Sequence, residues 1–239
     1  MDKRFANIRL PYVFLALTLV FLLVTGLTAL LGDRMTVQLA LNAYHRPWLD
    51  TFMRYYTKIG EVVPYVVAIG LLFYKAGWSL FLALDLALAG LIVQPLKYLF
   101  HTLRPLGYVH LHCPDVNLPL VEGVRMGEFY SFPSGHTVSI FTLFLTLSII
   151  VCNAEQYLPD AETTNKSEKK RLGVPFFLQI LFFLLATLGA YSRIYLNMHW
   201  VDDLFGGALF ATVFTFLLLF LTRNWQKKAF FGWKIKKMH

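Results

Sequence analysis

Apolar residues in this chain come in runs too long for the strands and one-sided helices of a water-soluble fold. The runs lie at 11–31, 62–74, 78–96, 137–152, 175–191 and 204–222, separated by segments rich in charge, proline or aromatic residues. About 20 residues of helix cross the hydrocarbon core of a bilayer. Backbone polar groups find no water there, so each crossing must be helical. The second run is the shortest, and Gly60 and Pro64 blur its start. The pattern predicts an all-α, polytopic membrane protein: one domain over 1–239 built as a bundle of about six transmembrane helices. No small-residue cleavage pattern follows the first run, which therefore reads as a retained anchor.

Two segments break the pattern. Over 33–61, Ala40, Leu41, Tyr44, Trp48, Leu49, Phe52, Met53, Tyr55 and Tyr56 recur at near-helical spacing, and Asp50 near Pro47 reads as a cap for a helix running through Tyr56. This predicts an amphipathic helix along the outer membrane surface; the alternative is a loop packed over the bundle. Over 223–239, Trp225, Phe230, Phe231 and Trp233 interleave with lysines, the composition of a basic cytoplasmic tail lying on the inner leaflet.

Composition agrees with a membrane solvent: 57% of the 239 residues are hydrophobic, 15% are charged, and the mean hydropathy is +0.55. The net charge of +8 sits mostly on the flanks of the apolar runs. Lys3, Arg4, Arg9, Lys75, Lys166, Lys169, Lys170, Arg171 and the tail basic residues fall on one side, which the positive-inside rule makes cytoplasmic. Arg34, Arg46, Arg54 and Lys58 oppose this from the other side. Both termini are thus expected inside, and every histidine except His239 outside. The basic residues form no continuous patch, so no nucleic-acid partner is expected. Cys113 and Cys152 fall on opposite faces of this topology and cannot pair within the chain. No cysteine–histidine spacing suits zinc, no glycine-rich nucleotide loop is present, and no internal repeat occurs. Neither a metal nor any other cofactor is expected, and the oligomeric state is left open.

The chemistry lies where apolar runs begin or end. Lys97 and Arg104 precede Pro105, then come Ser134, Gly135 and His136 after Pro133, then Arg193, His199 and Asp203. Three fixed cations can neutralise phosphate oxygens, and Ser134 with the Gly135 backbone can donate hydrogen bonds to them. One histidine can attack phosphorus while another protonates the leaving oxygen. Asp203 follows His199 by four residues, on the same face if both are helical, which suits a carboxylate that orients a nucleophilic imidazole. Asp202 would point elsewhere. His136 stands at the mouth of a helix, whose N-terminus favours an anion, and takes the general-acid role.

Lys-x6-Arg-Pro, Pro-Ser-Gly-His and Ser-Arg-x5-His-x3-Asp, in that order and with every position filled, resemble the three-part signature of the type 2 phosphatidic acid phosphatase superfamily. The resemblance covers roughly residues 50–215. It implies a membrane-bound lipid phosphatase with a phosphohistidine intermediate. The tract from Val121 to His136 is similar to bacterial members, which implies a bacterial inner (cytoplasmic) membrane with the site facing the periplasm or exterior. The partners implied are the bilayer and a lipid phosphate: phosphatidylglycerophosphate, phosphatidic acid, an isoprenyl diphosphate or a lipid A type phosphate. The motifs bind only the phosphate these share. A lipid phosphotransferase would use the same site, whereas a transporter would explain the crossings but not three phosphate motifs on one face.

Four further residues carry open roles. The outer loop 106–132 joins two motifs and reads either as a cover over the headgroup pocket or as a solvated connector. His110 and His112 within it lack the further ligands a metal would need. His101 follows Lys97 by four residues but matches no signature position. Asp85 is the one charge in its apolar run and reads as a hydrogen-bonded bundle residue, the alternative being a proton-coupled transport group.

Overall fold

The computed structural model describes residues 8–153 and 165–222, with the backbone alone over 165–174. All regular structure among these residues is helical: α1 Tyr12–Leu31, α2 Arg34–Leu41, α3 Pro47–Tyr56, α4 Ile59–Tyr74, α5 Ala76–Phe100, α6 Pro105–His112, α7 Gly135–Asn153, α8 Asn165–Tyr195 and α9 Val201–Thr222. The basic tail 223–239 and the first charges, Lys3 and Arg4, lie outside the described residues.

α1, α5, α7, α8 and α9 are each long and apolar enough to cross a membrane. The remaining expected crossing is α4, whose 16 residues fall short alone. α3 and α4 together meet the length, bent by 41° at the turn between them. Pro64 lies inside α4, not at its boundary, where it removes one backbone hydrogen bond without ending the helix.

α7 is the axis of the bundle and packs against α4, α5, α8 and α9. Its Val138, Ile140, Phe141, Leu143, Leu145 and Ile149 are all buried. α1 is peripheral: Phe14 is buried against Phe141 and Phe183, whereas Leu19, Leu23, Leu27 and Leu30 are exposed on the side that lipid would cover. Its N-terminus is held from other helices. Gln179 Oε1 accepts the Val13 and Phe14 N–H groups at 3.1 and 3.2 Å. Asn153 bonds both the N–H and the carbonyl of Arg9. Residue 9 and the end of α7 therefore share one side of the bundle.

Several hydroxyls within the helices are satisfied by their own backbone. Thr18, Thr25, Ser148, Thr212 and Thr222 each bond the carbonyl four residues back. Asp85 is fully buried and accepts the Thr215 hydroxyl at 2.6 Å, which ties α5 to α9.

The segment 33–61 folds as α2, α3 and the first turn of α4. Asp33 caps α2 by accepting the Thr36 N–H at 2.8 Å. Asp50 does not cap α3, because its carboxylate is engaged by His45 and by the Tyr195 hydroxyl. Arg46 takes the cap position and Pro47 the first helical one, where a missing N–H costs nothing. One face of α3 packs on α8 through Met53 against Tyr195 and Leu196, while Trp48, Phe52 and Tyr55 stay exposed.

Candidate active site

α5 ends at His101, whose left-handed backbone (φ 42°) turns the chain sharply after Lys97. The loop returning from α6 then supplies carbonyls to the cations. Lys97 Nζ donates to Tyr130 O at 3.2 Å, and Arg104 Nε donates to Phe129 O at 3.0 Å. Arg104 N donates to Glu128 O at 2.8 Å. The segment 106–132 therefore sets both side chains as well as linking two motifs.

Ser134 immediately precedes α7, and its Oγ accepts from Thr137 N and Oγ1 at 3.3 and 3.0 Å, the geometry of an N-cap. Its own N–H donates to Asp203 O at 3.1 Å, which fastens the second motif to the third. That close approach of α7 and α9 depends on Gly207, where a Cβ would meet Thr137 at 2.6 Å. Gly135 faces open space.

The third motif closes the site. Arg193 is almost wholly buried at the end of α8, and its guanidinium donates to Thr57 Oγ1 at 2.7 Å. His199 Nδ1 lies 3.1 Å from Asp203 Oδ2. His199 precedes α9, so this pairing is not a same-face contact along one helix, as the spacing suggested. Asp203, in the first turn, reaches back past the helix start and also accepts the Trp200 N–H at 2.8 Å. It is thus one half of a capping box. Ser131 Oγ donates to the same Asp203 oxygen. With Nδ1 held by a carboxylate, Nε2 is left as the free lone pair. Burial foremost, then the charges of Arg193, Arg104 and Lys97 and the neighbouring His136, hold the His199 imidazole well below its ordinary 6.5. It is therefore neutral here. Asp202 points away and pairs with Arg34 at 2.9 Å.

One cavity of about 380 Å³ is lined by Lys97, Arg104, Gly135, His136, Arg193 and His199. Asp203 and Ser134 stand behind this lining. The cavity also runs along α5 past Gln94, Val93, Gly90 and Ala89 to Leu86. Eleven helical residues from Lys97 amount to about 16 Å at the usual rise. One end is cationic and the length is apolar. Among the described residues no group of three or more His, Cys, Asp or Glu side chains could hold a metal ion.

Residues outside the motifs complete the site: Thr57 on Arg193, Ser131 and Trp200 on Asp203, and Glu61, whose Oε1 lies 2.6 Å from His136 Nε2. Ser131 and Trp200 adjoin motif residues in sequence, a proximity that could have flagged them. Thr57 and Glu61 carry no local signal. The open residues lie off the cavity lining: His101 stacks on Phe129, His110 pairs with Glu128 at 3.1 Å, and His112 rests against Tyr108.

The family model described as the PAP2 superfamily matches residues 78–227. The chain is 26% identical over 189 residues to phosphatidylglycerophosphatase B of Bacillus subtilis, covering 77% of this chain and 78% of that one. It is 27% identical over 191 residues to lipid A 4'-phosphatase of Bacteroides thetaiotaomicron, covering 78% and 75%. Among solved structures, it is similar to Aquifex aeolicus LpxE with a TM-score of 0.57 at 24% identity, covering 78% of this chain and 94% of that one. It also resembles a transmembrane PAP2 type phosphatidylglycerolphosphate phosphatase from Bacillus subtilis, with a TM-score of 0.59 at 21% identity, covering 95% and 100%.

Proposed function

Because this chain belongs to the PAP2 superfamily and is a lipid phosphatase, we propose that it cleaves a phosphomonoester or diphosphate from a lipid headgroup through a phosphohistidine, at the extracytoplasmic face of a bacterial inner membrane. The observation that carries this reading is the single cavity in which Lys97, Arg104 and Arg193 meet His136 and His199, with an apolar extension along α5. The cations hold the phosphate oxygens and offset the charge that builds up in transfer. Gly135 offers its backbone N–H at the α7 N-terminus, and Ser134 fixes that N-terminus and the approach to Asp203.

In the first step, His199 Nε2 forms a bond to phosphorus, the bond to the leaving oxygen breaks, and His136 gives that oxygen a proton. Asp203 retains the Nδ1 hydrogen and stabilises the positive charge on the attacked ring. In the second step, His136 takes a proton from water, which displaces His199 and releases inorganic phosphate. Phosphatidylglycerophosphate, phosphatidic acid, an isoprenyl diphosphate and a lipid A type phosphate all present the required group at headgroup depth. The extracytoplasmic placement, with both termini inside, is supported by the distribution of lysine and arginine along the chain.

The test is phosphate release from a panel of these four lipid classes by the purified protein in detergent. Release from at least one, abolished in His199→Ala, is expected. Release from none, or transfer of the phosphoryl group to another lipid without release, would overturn the hydrolase reading.

A further inference from the structure

The cavity contains one carboxylate that the three motifs do not supply. Glu61 lies in the first turn of α4, in a part of the chain before the matched family region. Among the described residues it is the only acidic one lining the cavity. Its Oε1 stands 2.6 Å from His136 Nε2. The approach of α4 to α7 that permits this contact is close: a Cβ on Gly60 would lie 3.2 Å from the His136 carbonyl. The site therefore holds two histidine–carboxylate pairs on different elements, His199 with Asp203 and His136 with Glu61.

The two pairs sit in different surroundings. Asp203 is fully buried and receives three hydrogen bonds, so its carboxylate is fixed in place. Glu61 is half exposed, with 52% of its side chain accessible against 23% for His136. The groups facing His136 are Arg193 at the end of α8, Lys97 on α5, Arg104 before α6, His199 before α9 and Glu61 on α4. Burial foremost, and then the fixed cations, oppose a further positive charge in this cavity, and one carboxylate in contact favours it. A general acid must carry its proton before the leaving oxygen departs.

We propose that Glu61 is the positioning residue of His136: it accepts the Nε2 hydrogen, orients the ring, and offsets the surroundings that disfavour its charge, so that the Nδ1 proton can pass to the leaving oxygen. Glu61 itself gains and loses no proton. In the first step the proton on His136 goes to the departing alkoxide or phosphate as the bond from His199 to phosphorus forms. In the second, the proton of the attacking water returns to His136 as that bond breaks. This inference rests on the hydrolytic reading above.

The experiment is a double-mutant cycle in detergent on whichever of the four lipid classes the wild type cleaves fastest, read as kcat/KM for phosphate release between about pH 5 and pH 8, the range over which an imidazole changes charge. Glu61→Gln should lower the rate on the order of 10–100-fold near neutral pH. The deficit should shrink as acid restores the imidazolium. In a His136→Ala background, Glu61→Gln should change nothing further. Glu61→Asp, which keeps the charge, should restore the wild-type pH profile, and Glu61→Ala replaces Glu61→Gln in the cycle should that variant fail to fold. A loss of equal size in both backgrounds, or one independent of pH, would overturn the role of Glu61 while leaving the hydrolase intact. A wild-type protein that releases no phosphate from any of the four classes would overturn both.

Discussion

The Asp203 oxygen that lies 3.1 Å from His199 Nδ1 also receives the Trp200 backbone N–H at 2.8 Å and the Ser131 hydroxyl. Its twin, Oδ1, is buried and has no hydrogen-bond partner among the described residues. Asp203→Asn can therefore keep its oxygen on all three donors and place its NH₂ at the vacant side. The protein should fold with wild-type thermal stability in detergent. Its kcat should nonetheless fall on the order of 10³–10⁴-fold, as for other orienting carboxylates. Retention of more than a tenth of the activity would remove Asp203 from the mechanism.

Thr57 is the hydroxyl that receives the buried Arg193 guanidinium. Thr57→Val removes that acceptor and leaves a charged donor short of a partner, at a cost of about 1–3 kcal/mol. Thermal stability should drop and KM should rise more than kcat falls. An unchanged melting temperature would mean that Arg193 is held by other groups.

Acid should unfold the protein partly through His199. Its imidazole is held below 6.5 by burial and by nearby cations, so the unfolded chain takes up a proton there before the folded one does. Stability is therefore full above about 6.5 and falls as the pH drops below it. His199→Asn, which keeps an N–H for Asp203 but cannot titrate, should lose less melting temperature between about pH 7 and pH 5. Parallel losses in the two proteins would show that another group carries the acid sensitivity.

With Lys97, Arg104 and Arg193 lining one cavity, the positive charge that Mg²⁺ brings to other phosphoryl-transfer sites is already built in. Phosphate release should persist in EDTA, and vanadate, a mimic of five-coordinate phosphorus, should inhibit it. Loss of activity on chelation with recovery on adding Mg²⁺ would contradict this.

Sidedness can be read by labelling. In a Cys113→Ser background, a cysteine at the exposed Asp115 should react with a membrane-impermeant maleimide in intact cells or spheroplasts, and one at Lys170 only after lysis. The reverse pattern would move the cavity to the cytoplasmic leaflet.

Much of this was legible along the chain. Apolar runs located the crossing helices, because a bilayer leaves the backbone no alternative, and most boundaries moved by only a few residues. α5 and α8 differ most, running on beyond their apolar cores to Phe100 and from Asn165. That Lys97, Arg104, His136, Arg193 and His199 belong together was legible because cations and histidines are few where the apolar runs end, and the structure brings these five to one cavity. What stayed hidden is non-local. Thr57 meets Arg193 across 136 positions, Glu61 meets His136 across 75, and Arg34 meets Asp202 across 168. Each partner is an ordinary polar residue at a helix end, and only the packing of α2 to α4 against the bundle singles it out. The His199–Asp203 pair was found by spacing, yet it is made by a cap before α9, since a carboxylate in a first turn reaches backward to free N–H groups.

The cavity that starts at Lys97 and His199 continues along α5 to Leu86, so one opening has a wet end and an oily one. A molecule cut at its wet end is sorted by its own solubility. The freed phosphate has only water to enter, and the lipid already lies in the solvent it prefers. Released into bulk water, the phosphate is diluted away from the membrane, whereas the lipid stays at its surface. That separation opposes the reverse reaction.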